Sequence, residues 1–143
     1  MIVKRSATLQ AFRISPGDTN YFACLFDPLA DGAQFTMVVE IFTPGGATPP
    51  NTHRRAQEVF YVLAGRGIAR AGGQEVPIGP GDALMLPPGV EHVVENPGPG
   101  KLYCLTTMVP DEDFAALIRK GTPVALDEED LAVLTGRWRQ AAA

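Results

Sequence analysis

The sequence predicts an all-β barrel or sandwich, and three observations predict it. Apolar residues recur at every second position along several short stretches. Glycine and proline, 15 and 13 of 143 residues, break the chain often. Turn signals fall about every eight to twelve residues through its middle, the spacing of a sandwich or barrel.

Each element follows from local chemistry. From Gln34 to Thr43, Phe35, Met37, Val39 and Ile41 fall on alternate positions, the period of a strand with one face in the core. Pro44-Gly45-Gly46 and Pro49-Pro50 end that run. Glu58 to Ala64 (EVFYVLA) is rich in β-branched and aromatic residues and predicts a second strand. Arg66 to Ala71 and Gln74 to Ile78 flank Gly72-Gly73, a pair that tolerates the positive φ of a tight hairpin. Gly81 to Leu86, Val90 to Glu95 and Leu102 to Val109 add three more strands.

The last third changes character. Asp111 can cap a helix carrying Phe114, Leu117 and Ile118 on one stripe and ending at Gly121. Asp127 can cap a second, with Asp130 near the capping-box position, Leu131 and Leu134 as its apolar stripe and Gly136 as its stop. The acidic run 127–130 therefore reads as a helix N-terminus. Residues 1–110 are expected to form the barrel with its N-terminal strands, and 111–143 two short helices packed outside it, with Trp138 as a packing residue.

Composition narrows the function classes. A chain of 143 residues with 45% hydrophobic and 20% charged residues makes one domain with a core, hiding about 68–70% of its unfolded surface. The net charge of −4 provides no positive field for nucleic acid. The longest apolar stretch, Tyr21 to Phe26, is far below the ~20 residues that span a bilayer. Met1 to Phe12 lacks the apolar core of a secretory signal. Cys24 and Cys104 form no CxxC pair and are expected as buried thiols of a cytoplasmic protein.

The chemistry gathers around two histidines. The first lies in Gly45, five residues, Asn51, Thr52, His53, four residues, Glu58, six residues, Gly65; the second in Gly81, five residues, Pro87, Pro88, Gly89, two residues, His92, three residues, Asn96. On extended chain Asn51 and His53, two apart, point to the same face. Glu58 has the wrong parity to join them unless Arg54 to Gln57 turn the chain into a neighbouring strand, where a hairpin would place it opposite. His92 comes from a third strand, entered through the Pro87-Pro88-Gly89 reversal. Two imidazoles and one carboxylate suit Fe(II) and leave positions open for substrate or oxygen; Mn(II), Ni(II), Co(II) or Zn(II) suit the set too.

These two motifs resemble those of the cupin superfamily. The second matches at Gly81, Pro87, Gly89, His92 and Asn96; the first at Gly45, His53, Glu58 and Gly65, with Asn51 where the family usually has its first histidine. The resemblance implies a double-stranded β-helix (jelly-roll) barrel, a metal inside it held by His53, Glu58 and His92, and commonly a homodimer. Asn51 becomes an auxiliary ligand or orients a water. Parity places Phe60 and Val62 beside Glu58, and Val90 and Val94 beside His92, as walls of an apolar substrate pocket; Met37 closes the far wall or is ordinary core. Arg54 and Arg55 either anchor an anion or form a solvated turn, and only one of Tyr103 and Cys104 can face inward. Cupins of this size include dioxygenases, isomerases and lyases, so the expected function is metal-dependent chemistry on a small organic metabolite. The alternative is a non-catalytic binding or sensor module with a weakened metal site.

Overall fold

A computed structural model describes residues 1–137; Trp138 lies outside the described residues. A 3₁₀ turn at Ser6–Thr8 precedes β1 (Ala11–Arg13), β2 (Asn20–Phe26), the one-turn helix α1 (Pro28–Asp31), β3 (Thr36–Phe42), β4 (Gln57–Ala64), β5 (Gly67–Ala71), β6 (Gln74–Ile78), β7 (Ala83–Leu86), β8 (His92–Glu95) and β9 (Leu102–Val109). Helix α2 (Phe114–Arg119), strand β10 (Thr122–Val124) and helix α3 (Glu128–Leu134) complete the described chain.

All the strand pairs are antiparallel and form two sheets, β10-β1-β2-β3-β9-β4-β7 and β6-β5-β8. Phe42, Phe60, Val62, Leu86, Leu102 and Cys104 of the first sheet form one buried cluster with Ile78 and Val94 of the second. The sheets thus pack face to face as a jelly roll, and each such side chain contributes roughly 1.5–3 kcal/mol by leaving water. The β5–β6 hairpin turns at Gly72 and Gly73, with φ of 55° and 76°, the two positive values its tight turn requires.

Strand β3 departs from expectation. Alternation predicts one buried face, but both are covered. Val39 and Ile41 pack outward with Tyr21, Tyr103 and Val133 of α3; Val38 packs inward with Phe22, Cys24 and Ile118 of α2. Met37, with the parity of Val39 and Ile41, stands opposite Thr107 and Phe26. It lies on the outer face and closes no wall of the interior. The inward positions of β3 are Val38, Glu40 and Phe42, because they share faces with Thr106, Cys104 and Leu102 of β9.

The two helices close the layers unequally. Asp111 accepts a bond from the Ala115 amide at 2.9 Å, although the N-cap position itself falls on Asp113, whose side chain makes no capping bond. Phe114 and Ile118 face the barrel, whereas Leu117, expected in the stripe, is exposed. In α3 the capping box forms as the sequence predicts: Asp127 accepts from the Asp130 amide and Asp130 from the Asp127 amide. Asp130 also accepts from the hydroxyls of Tyr21 and Tyr103 at 2.8 and 2.7 Å, which fastens α3 to the outer face of the larger sheet. Val133 is its buried apolar residue, with Leu134 packed beside it; Leu131 is only partly buried. The extension is not purely helical, since β10 pairs with β1 at the sheet edge.

Candidate metal centre

Three segments bring the donor atoms together. His92 opens β8, and Asn51 bridges to it through both backbone groups, at 3.0 and 2.9 Å. Directly opposed residues of an antiparallel pair project to the same face, so Asn51 emerges beside His92. His53 follows two residues later, and its carbonyl accepts from the Gly89 amide at 2.8 Å. The Pro87-Pro88-Gly89 reversal therefore also steadies His53. Glu58 lies on β4 of the other sheet, opposite Leu86 and Met108. This corrects the hairpin expectation: residues 52–56 cross from the smaller sheet to the larger, and Glu58 faces the imidazoles across the interior.

Both imidazoles meet one carboxylate oxygen. Glu58 Oε2 lies 2.6 Å from His53 Nε2 and 3.0 Å from His92 Nε2, and the two rings are 5.2 Å apart. Donor atoms of all three residues fall within 4.8 Å of one another. His92 Nδ1 donates to the Val90 carbonyl at 3.1 Å, which fixes the ring and aims Nε2 inward. Burial alone would raise the Glu58 carboxyl, but the bonds from His53 and His92 outweigh it and hold the group below its ordinary range. Burial opposes charge on His92, yet Glu58 and the Val90 carbonyl lift its pKa above the ordinary value.

The donor set fits a divalent metal. A cation bonding nitrogen and oxygen at about 2.0–2.2 Å sets neighbouring ligand atoms about 3 Å apart, close to the observed 2.6 and 3.0 Å. Without a metal, the short contacts are those of a carboxylate shared by two ring nitrogens. With one, the same atoms form the two-histidine, one-carboxylate set.

A second interior carboxylate was not foreseen. Glu40 is 2% exposed, stands opposite Cys104 and Phe22, and accepts from Asn20 Nδ2 at 2.8 Å and Thr106 Oγ1 at 3.3 Å. Burial, reinforced by the negative charge of Glu58, raises its pKa to about 8. The signal for it was one acid within the apolar run MVVEIF.

The remaining residues divide by packing. Phe60, Val62 and Val94 face the interior but are fully buried in the core. Cys104 faces inward with them, while Tyr103 faces α3; both cysteines are free thiols, and burial raises both, Cys24 to about 11. A cavity of about 580 Å³ lies along β5, β6 and β7, walled by Ala69, Ala71, Ile78, Leu84, Leu86 and Val90. Two of its lining residues pair across strands with donors, Leu86 with Glu58 and Ala71 with His92, but none of His53, Glu58 and His92 itself lines the cavity. The side chains of Arg54 and Arg55 extend to solvent.

Two antiparallel sheets enclosing two imidazoles and a carboxylate define a jelly-roll protein whose interior could hold a metal ion. Residues 38–108 match the family model described as Cupin domain, and the chain belongs to the cupin superfamily. It is 32% identical to the oxalate-binding protein of Thermotoga maritima over 66 residues, 46% of this chain and 54% of that protein. It is 29% identical to an uncharacterised protein of Methanocaldococcus jannaschii over 75 residues, 51% of this chain and 60% of that protein. The matches thus span little more than half the length of these relatives. A crystal structure titled a predicted oxalate decarboxylase, from Thermotoga maritima, superposes with a TM-score of 0.69 at 26% identity, covering 76% of this chain and 99% of that one. Among the described residues no helix is long and apolar enough to cross a membrane.

Proposed function

We propose that the protein is a metal-dependent cupin enzyme, of dioxygenase, isomerase or lyase type, acting on a small organic metabolite beside the donor cluster. The observation that carries this reading is the convergence of His53, Glu58 and His92 from two sheets on one point. These residues hold the metal, and Asn51 supplies a neutral oxygen or orients a water. A bound Fe(II), Mn(II), Ni(II), Co(II) or Zn(II) supplies Lewis acidity or an oxygen-binding centre.

The cavity suggests what the metabolite looks like. Its described lining contains no lysine or arginine, so a buried dianion would have only the metal to offset its charge. A molecule with one oxygen-donor head for the metal and an apolar body for Ala69, Ala71, Leu84 and Leu86 fits better. The protein is read as a cytoplasmic homodimer, a state supported by the exposed Tyr61 and Met85 on the outer face of β4 and β7.

Asn51 favours a second reading, a binding or sensor module with a weakened metal site. Metal analysis of protein purified without chelator, followed by oxygen consumption and product formation with small acids and ketones, separates the two. Stoichiometric metal with turnover supports the enzyme. Metal and ligand binding without turnover supports the sensor, and metal at trace levels counts against the enzyme.

A further inference from the structure

We infer that Glu112 is a positioning residue of the metal centre, its carboxylate clamping the backbone of residues 54–56 that carries the chain from His53 to Glu58. The inference rests on the reading that those two residues hold a metal. Glu112 Oε1 accepts from the Arg54 amide at 3.0 Å and the Arg55 amide at 3.3 Å, and Oε2 from the Arg55 amide at 3.2 Å and the Ala56 amide at 2.8 Å. Three consecutive N–H groups converging on one anion form a concave anion-binding backbone. Here the protein supplies the anion itself.

The clamp is built into the chain after β9. Val109, the last residue of β9, stands opposite Gln57, the first of β4, so the segment that follows starts beside the loop it grips. Asp111 ties that segment to the wall: it accepts from the Thr36 hydroxyl and from the Ala115 amide. Glu112 and Asp113 then take φ of 53° and 65°, left-handed conformations that side chains other than glycine adopt where their surroundings enforce them. The result aims the Glu112 carboxylate at the loop. Among the described residues, 54–56 have no strand partner, and without Glu112 the crossing would be held there only at its ends, by the Asn51–His92 bridge, the bond from the Gly89 amide to the His53 carbonyl, and β4. The amides of Ala56, Arg55 and Arg54 hold the Glu112 carboxyl below its ordinary range, so the clamp is charged at neutral pH.

The test uses Glu112→Gly, which removes the carboxylate while leaving the positive φ easy, and Asp113→Gly, which eases φ next door but keeps the clamp. Amide exchange is read on the metal-free protein, and Co(II) affinity and the visible absorption of bound Co(II) are read by titration. Glu112→Gly is expected to speed exchange at Arg54, Arg55 and Ala56 by about tenfold or more, to weaken Co(II) binding by about 10–100-fold and to alter the Co(II) bands; Asp113→Gly is expected to match the native protein. Native exchange or native affinity in Glu112→Gly overturns the inference, as does an equal loss in Asp113→Gly. Should Glu112→Gly fail to fold, Glu112→Gln offers one acceptor oxygen in place of two, and a loss of about threefold or more is expected; none overturns the inference. If the native protein binds no Co(II), the proposed function fails on its own, and the exchange rates of residues 54–56 still decide whether the clamp exists.

Discussion

Glu40 makes a prediction whose size follows from its surroundings. The folded protein holds this carboxyl near 8, against an ordinary 4.5. Between those values the folded state keeps a proton that the unfolded state has released, so stability falls as pH rises. At about 1.4 kcal/mol per pH unit, the native protein should lose about 3–4 kcal/mol between about pH 5 and pH 8 through this one group. Glu40→Gln stays neutral at every pH, keeping an acceptor oxygen for the Asn20 amide and offering a donor to the Thr106 hydroxyl, so it should lack that loss. Urea unfolding of both proteins across this range, with chelator present so that no cation offsets the Glu58 charge, gives the difference directly. A native-minus-variant difference that stays constant within about 1 kcal/mol would mean that Glu40 is ionised in the folded state, and the interior described here would be wrong.

Other outcomes follow from single contacts. Asn51→His places an imidazole beside His92 and should tighten Co(II) or Mn(II) binding about tenfold or more, near 1.4 kcal/mol; unchanged or weaker affinity by titration would show that this side chain does not reach the metal. Gly65→Ala would put a Cβ 2.3 Å from the Lys101 carbonyl oxygen at a φ of 86°. Thermal unfolding should register a loss of about 2 kcal/mol or more, and a near-native Tm would contradict the close approach of β4 to the turn before β9.

Much of this architecture was legible because local chemistry and tertiary need agree. The Gly72-Gly73 hairpin and the Asp127–Asp130 capping box each form where their residue types call for them. What stayed hidden was whatever a second layer decides. Strand β3 is covered by helices on both sides, so alternation could not say which parity faced inward; that left the side of Met37 open and concealed Glu40. Strand β10, three residues including Pro123, has no pattern of its own and exists because β1 offers it an edge. The donor residues were readable from spacing, but the route of residues 52–56 between sheets was not, because the Glu112 amide bonds lie more than fifty residues apart in sequence.

The most direct measurement is anomalous diffraction from crystals of the protein purified without chelator, collected at the iron, manganese, nickel and zinc edges. One strong peak is expected, bonded to His53 Nε2, His92 Nε2 and the Glu58 carboxylate at about 2.0–2.3 Å. A metal found elsewhere on the molecule, or these three side chains turned away from one another with metal present in solution, would contradict it.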